Sequence, residues 1–320
     1  LKGVGLHTGK EVNLTFKPAP VNTGFIFVRN DLVPSVEIAA DIQYVINTDR
    51  GTNLEKNGVS IQTSEHVLAA LVGMSVNNCY IELDAAESPI MDGSSKSFVD
   101  AIESAGVIEQ DEIKDEYIVT EPISYKDEKT GSEITLIPSD EFQVTTMVDF
   151  DTKILGTQNA SLDKITDFKE TIAPSRTFSF LHEIEMLLNK GLIKGGDLNN
   201  AIVYVDKPLS NETMSKLKKA FNKDKISVKS NGILDNLTLL YPNEAARHKL
   251  LDVIGDLALI GTRVRGKVIA TKPGHYINTK FSKKMKNIIR DSKKNNIPQV
   301  DFSSKPLMNT TKIMEILPHR

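Results

Sequence analysis

Tryptophan is missing from the 320 residues, and cysteine occurs once, at Cys79. A single cysteine rules out an internal disulfide and fits a reducing compartment. Aromatic residues are scarce at 6%, and no apolar stretch reaches the roughly 18 residues that a membrane-spanning helix needs. An excess of one charge is absent as well, since 39 Lys and Arg face 42 Asp and Glu, leaving a net charge of −3. A chain so balanced has no general basic field with which to hold nucleic acid. The start, Leu1 to Gly5, lacks the apolar region of a signal peptide. Together these absences predict a cytoplasmic protein that neither spans a membrane nor binds nucleic acid. Cys79 sits in the strand-like segment 77–83 and reads as a buried structural thiol.

What is present is the composition of an ordinary globular chain, 40% hydrophobic and 25% charged. At roughly 100–200 residues per domain, its length predicts two domains. Residues 11–16 and 25–28 alternate as half-buried strands, 64–73 read as a helix stopped at Gly73, 78–84 as a strand, and 95–105 as a helix closed by Gly106. An acidic stretch from Glu109 to Glu116 has few apolar residues and predicts a domain boundary. Strand composition then returns at 117–119, 132–137 and 142–148, and a helix follows at 180–190. The clearest helix is 243–260, with Asn243 at its N-cap and Gly261 past its end. A strand at 264–271 and a basic helix at 280–290 follow. Each half therefore runs strands, helix, strand, helix, a coarse duplication of one α+β unit. From Asp291 to Lys305 the chain turns polar, as a linker does. Its charge reads as solvation, with nucleic-acid contact as the alternative.

Chemistry concentrates on the helix at 243–260. At about 100° per residue, His248, Lys249, Asp252 and Asp256 share one stripe roughly 100° wide. Leu250, Leu251, Val253, Ile254, Leu257, Ala258 and Ile260 cover most of the rest, so the helix should be buried. Ionisable groups on a buried helix are expensive unless they bind something, and His248 and Asp252, four apart, can reach one metal ion. A surface stripe with a His–Asp pair is the competing reading. His66 directly follows Glu65, which suits a metal ligand beside a proton acceptor, although a lone histidine near a helix start is more often structural or a cap. His275, after Pro273 and Gly274, is either a loop histidine or a catalytic one. Thr177 either belongs to a plain strand or offers its hydroxyl to an oxyanion. His-Glu-x-x-His is absent, so the common metalloprotease signature is missing. Residues 3–10 imitate a phosphate loop but fail on spacing, with Val4 at the first glycine position and Glu11 after Lys10.

Six segments in order resemble one family, the UDP-3-O-acyl-N-acetylglucosamine deacetylases of lipid A synthesis. They are Gly3–Gly9, Thr63–Leu71, Pro89–Ser94, Arg176–Phe178, His248–Asp256 and Gly274–His275, and they span about residues 1–290. The resemblance implies zinc-dependent hydrolysis of the N-acetyl amide of UDP-3-O-acyl-N-acetylglucosamine, releasing acetate, with ferrous iron as the alternative ion. Another N-acyl sugar is the alternative substrate. It further implies His66, His248 and Asp252 as metal ligands, Glu65 as general base, Thr177 as oxyanion donor, and His275 as general acid kept charged by Asp256. Lys249 and Lys272 would meet phosphate or sugar, and Phe150 the uracil, with Phe178 and Phe180 lining the substrate site. The implied fold is α+β: two similar domains, each a β-sheet packed with two helices, with the active site at their interface. An inserted element near 181–206, carrying Leu187, Leu188, Leu192 and Ile193, would form a passage for the acyl chain, although core packing explains those leucines equally well.

The expected domains are thus 1–112, 113–290, a linker at 291–307, and a final segment at 308–320. That last piece extends past the family's usual end. Its Leu317-Pro318-His319-Arg320 resembles the opening of a 3-hydroxyacyl-acyl carrier protein dehydratase, so a deacetylase cut from a fused deacetylase–dehydratase is expected, with His319 an inactive remnant. The family usually has about ten residues ahead of the glycine-rich start, where this chain begins. A monomer is expected for the fragment.

Overall fold

The computed structural model describes residues 1–113, 115–189, 194–196, 200–206, 210–220, 226–235, 237–295 and 312–316. Alternation builds its first sheet. In the strand Glu11–Pro18, Val12 and Leu14 are fully buried while Glu11, Asn13 and Thr15 face outward. The sheet comprises β1 (Lys2–Val4), β2 (Glu11–Pro18), β3 (Phe25–Arg29), β4 (Val36–Ala39) and β5 (Cys79–Leu83), in the order β1-β2-β5-β3-β4. Only β3 and β5 run parallel. Helix α1 (Glu65–Gly73) precedes β5, and α2 (Lys96–Ala105) follows it. Cys79 is buried, as its strand position predicts.

The second half repeats the plan. Its sheet has β6 (Ile123–Asp127), β7 (Ser132–Ile137), β8 (Gln143–Asp149), β9 (Thr157–Leu162) and β10 (Lys267–Thr271), in the order β6-β7-β10-β8-β9. Again one pair alone, β8 and β10, is parallel. Helix α3 (Glu244–Leu257) precedes β10, and α4 (His275–Lys294) follows it. The duplicated α+β architecture expected from the sequence is therefore present, strand for strand.

The two halves meet through their equivalent helices. α1 packs on α3, while α3 also lies on β8 and β9. A helix enclosed on so many sides has no wet face, which is why Leu250, Leu251, Val253, Ile254 and Leu257 are all buried. One continuous apolar core runs from Leu14 and Phe27 through Leu68 and Leu251 to Val268 and Phe281. Gly255 permits the approach. A Cβ there would stand 2.1 Å from the carbonyl oxygen of Glu65, so any side chain would push the helices apart.

Several elements differ from expectation. The acidic stretch at 109–116, where a domain boundary is expected, carries a strand: Val107–Ile113 pairs antiparallel with Lys312–Ile316. Glu116–Ile118 pairs in parallel with Arg263–Arg265, and Arg263 and Arg265 both reach the Glu116 carboxylate. The basic helix begins earlier than 280 and continues four residues into the expected linker. Asn243 does precede α3, yet its side chain does not cap it. The Nδ2 group donates to the Asn159 carbonyl, and Oδ1 accepts from Arg247. A three-stranded sheet of Val45–Asn47, Asn53–Lys56 and Val59–Ile61 lies between β4 and α1.

In the region of the expected acyl passage, Phe178–Phe180 and Ile202–Tyr204 pair in parallel around the helix Leu181–Asn189. Leu181, Ile184, Val203, Val205, Leu217 and Leu234 form a separate small core there. The side chains of Leu187 and Leu188, and residues Leu192, Ile193 and His319, lie outside the described residues.

The helix crossing yields a prediction. Gly255→Ala should lower stability by about 1–3 kcal/mol through overpacking. Thermal unfolding of the variant beside the parent measures it, and an unchanged midpoint would contradict the close approach.

Candidate metal centre

Three buried groups converge where α1 crosses α3. Donor atoms of His66, His248 and Asp252, one from each residue, lie within 4.8 Å of one another. Nε2 of His248 is 3.4 Å from Oδ1 of Asp252, and Nε2 of His66 is 3.9 Å from the same oxygen. Two ligands on one tetrahedral zinc, each bonded at about 2.0–2.1 Å, stand roughly 3.4 Å apart. Nδ1 of His248 lies 3.0 Å from the Ser175 carbonyl. A carbonyl only accepts, so Nδ1 carries the proton and Nε2 turns its lone pair toward Asp252. Nδ1 of His66 and Oδ1 of Asp252 are buried without a protein partner. A bare, buried carboxylate oxygen facing two imidazoles is the arrangement a cation would complete.

The protonation pattern agrees. Burial, reinforced by the neighbouring His248, pushes His66 down to about 3. Burial also lowers His248. Both imidazoles are thus neutral, as ligands must be. Burial opposes ionisation of Asp252, but the Lys249 ammonium, 2.8 Å from Oδ2, and the His275 imidazolium hold it well below the usual carboxylate range.

Beside the cluster stand Glu65 and His275. Nε2 of His275 is 3.8 Å from Oε1 of Glu65 and 3.9 Å from Oδ2 of Asp252. Nδ1 of His275 is 2.9 Å from Oδ2 of Asp256, which is fully buried. Burial works against the imidazolium, yet Asp256, Asp252 and Glu65 together raise His275 to about 9. Burial, against the pull of His275, raises Glu65 to about 7. One neutralisable carboxylate and one persistent cation therefore face the same space.

That space is a cleft of about 280 Å³, lined by Glu65, His66, Phe150, Thr177, Phe178, Phe180, His248, Lys249, Asp252 and His275 among others. Phe150 meets the edges of Phe178 and Phe180 at centroid distances of 5.4 and 5.6 Å. The ammonium of Lys249 stands 5.6 Å over the Phe178 ring. Lys272 is less close: it is exposed and pairs with Asp149 at 3.4 Å, next to Phe150 in sequence. Asp256 stands behind His275 rather than in the cleft wall. A larger cavity of about 390 Å³ lies between the halves near Val72, Val76, Ile254 and Leu257, away from these groups.

The site also shows what the surrounding motifs do. The Thr177 amide donates to the Gly93 carbonyl at 2.7 Å, and Gly93 adopts φ +85 where an added Cβ would meet the Asn200 carbonyl oxygen at 2.1 Å. Arg176 is anchored by the buried Glu244 through its amide and guanidinium. The glycine-rich start curls around an internal anion. Glu87 accepts from the amides of His7 and Thr8, and from the hydroxyls of Thr8 and Thr63.

The profile of the family described as LpxC, UDP-3-O-acyl N-acetylglycosamine deacetylase, matches residues 1–227 and 213–287. The chain belongs to this family. A bifunctional enzyme LpxC/FabZ of Bacteroides thetaiotaomicron is 45% identical over 320 residues, all of this chain and 69% of that protein. One from Porphyromonas gingivalis is 43% identical over the same share of each. A UDP-3-O-acyl-N-acetylglucosamine deacetylase of Myxococcus xanthus is 39% identical over 286 residues, 89% of this chain and 83% of that protein.

Ser175, Glu244, Thr52 and Asn278 were not legible as site residues in the sequence. Each acts through a backbone group or at long range, which leaves no spacing pattern. For the cluster of His66, His248 and Asp252, Asp252→Ala should abolish metal retention. Metal content after dialysis, with the parent as reference, checks this, and a variant that keeps one equivalent would remove Asp252 from the ligand set.

Proposed function

We propose that this chain hydrolyses the N-acetyl amide of UDP-3-O-acyl-N-acetylglucosamine, releasing acetate, with zinc held by His66, His248 and Asp252. The observation that supports it best is the meeting of two neutral histidines and an ionised, half-satisfied carboxylate at one point, with Glu65 and His275 less than 4 Å apart beside them. Two nitrogens and one carboxylate oxygen form a donor set suited to zinc with a position left open. The ion supplies Lewis acidity toward the amide carbonyl.

The remaining steps fall to side chains. Glu65, ionised, takes a proton from the attacking water as oxygen bonds to the carbonyl carbon. The Thr177 hydroxyl donates to the oxyanion that develops. As the C–N bond breaks, the His275 imidazolium gives its Nε2 proton to the departing amine, and acetate leaves. Asp256 holds the opposite nitrogen, so the donating face of the ring stays on the substrate. Lys249 and Lys272 bring positive charge toward the nucleotide phosphates. Phe150, Phe178 and Phe180 offer flat apolar surface, with Phe150 assigned to the uracil. The segment following Phe180 would carry the acyl chain past Ile184 and Val203.

Turnover of the UDP-sugar should vanish after chelation and return with zinc, and Glu65→Ala should lower kcat by at least about 100-fold. Full activity in either case would refute the proposal. The pH profile should be bell-shaped. Activity rises as Glu65 ionises near 7 and falls as His275 deprotonates near 9. Asp256→Asn removes the leading charge that raises His275, so the alkaline limb should move down toward 6.5. An alkaline limb that stays in place in this variant would dissociate it from His275.

A further inference from the structure

The groups assigned to proton transfer are held from outside by one residue that none of the motifs contains. Thr52 lies just before the strand Asn53–Lys56, in the small sheet between β4 and α1. It is fully buried. Its amide donates to Oε2 of Glu65 at 2.9 Å. Its hydroxyl donates to Oδ1 of Asp256 at 2.5 Å and stands 3.4 Å from Nδ1 of His275. Its carbonyl accepts from the Ser64 hydroxyl at 2.8 Å, which ties it to the residue preceding α1. One residue thus contacts the carboxylate of the base and the carboxylate behind the acid, groups that come from different halves of the chain.

The second oxygen of Asp256 is shared. Oδ2 accepts from Nδ1 of His275 at 2.9 Å and from Nδ2 of Asn278 at 2.8 Å. A carboxylate accepting a hydroxyl on one oxygen and two N–H groups on the other can neither rotate nor tilt without losing a partner. Without the Thr52 hydroxyl, Oδ1 would be a buried anionic oxygen with no donor, and the carboxylate would turn to find one. The imidazole would turn with it.

We propose that Thr52 is a positioning residue for the deacetylation, whose hydroxyl fixes the Asp256–His275 pair while its amide fixes Glu65, so that base and acid keep one mutual geometry. The inference rests on the assignment of Glu65 and His275 as proton carriers. It predicts a division of labour within one residue: the amide survives any substitution except proline, and the hydroxyl can be removed alone. Thr52→Val keeps shape and amide and deletes only the hydroxyl.

In Thr52→Val, kcat for the UDP-sugar should fall about 10- to 100-fold with KM within about twofold, the size expected when a proton carrier is misplaced but present. Thr52→Ser, which restores the hydroxyl, should recover kcat to within about threefold. Zinc content and thermal midpoint are measured on the same samples. The Nδ1 proton of His275, identified by its absence in His275→Ala, is followed by NMR on the resting zinc protein. Its deshielded signal should be lost or moved upfield in Thr52→Val and kept in Thr52→Ser. That readout needs no turnover, so it stands apart from the substrate assignment. A parent that fails to process the UDP-sugar refutes the assignment, whereas an unchanged kcat or an unchanged Nδ1 signal in Thr52→Val refutes the role of Thr52. Equal loss in the Ser and Val variants would also overturn it, because the methyl group would then be what matters. So would loss of zinc in Thr52→Val. Should Thr52→Val not fold, Thr52→Ala is read by the same signal and the same criteria.

Discussion

The crossing of α1 and α3 at Gly255 is the contact on which the site depends. α1 brings Glu65 and His66, and α3 brings His248, Asp252 and Asp256. Neither helix alone brings three donor groups. With one more methyl group at the crossing, the backbones would separate by about an ångström or more, and donor atoms that now lie within 4.8 Å could no longer converge on one ion. The duplicated fold makes the meeting natural. The two helices occupy equivalent places in equivalent units, and both are buried along most of their length.

Burying so many ionisable groups together works because they answer one another. Asp252 is balanced by Lys249, Asp256 by His275, and Arg176 by Glu244. His275 is the first residue of α4, and the partial positive charge of a helix N-terminus opposes a cation there. Asp256 and its neighbours prevail over both that field and burial. Glu65 is the first residue of α1, where the same field favours the ionised form and burial resists it. Glu65 and His275 are therefore poised by opposing influences, and modest changes in surroundings would move them.

Much of this was written in the local sequence. The stripe of His248, Lys249, Asp252 and Asp256 on an otherwise apolar helix marked a buried site because helical periodicity is a short-range signal. The strand alternation of Glu11–Phe16 and the glycine closing α2 are equally local. What escaped detection is long-range. Asp-Arg-Gly-Thr-Asn has the composition of an ordinary turn, and the partners of Thr52 lie 13 and 204 residues away. Asn243 announced the start of α3 correctly, but which groups its side chain would bind depended on β9, far from it in sequence. Glu87 carried no visible motif, although the glycine-rich start is shaped around it.

The acidic segment that read as a boundary has a different logic as the strand Val107–Ile113. Its partner, Lys312–Ile316, begins 199 residues after the strand's end (312 − 113). A ribosome adding about 5–20 residues per second would take roughly 10–40 s to make that interval. During synthesis the strand therefore waits without this partner. Open edges invite pairing with other chains, and charge is a common guard against it. Glu109, Asp111 and Glu112 put negative charge along this waiting edge. Composition that read as a boundary is, in kinetic terms, protection for a seat that is filled late.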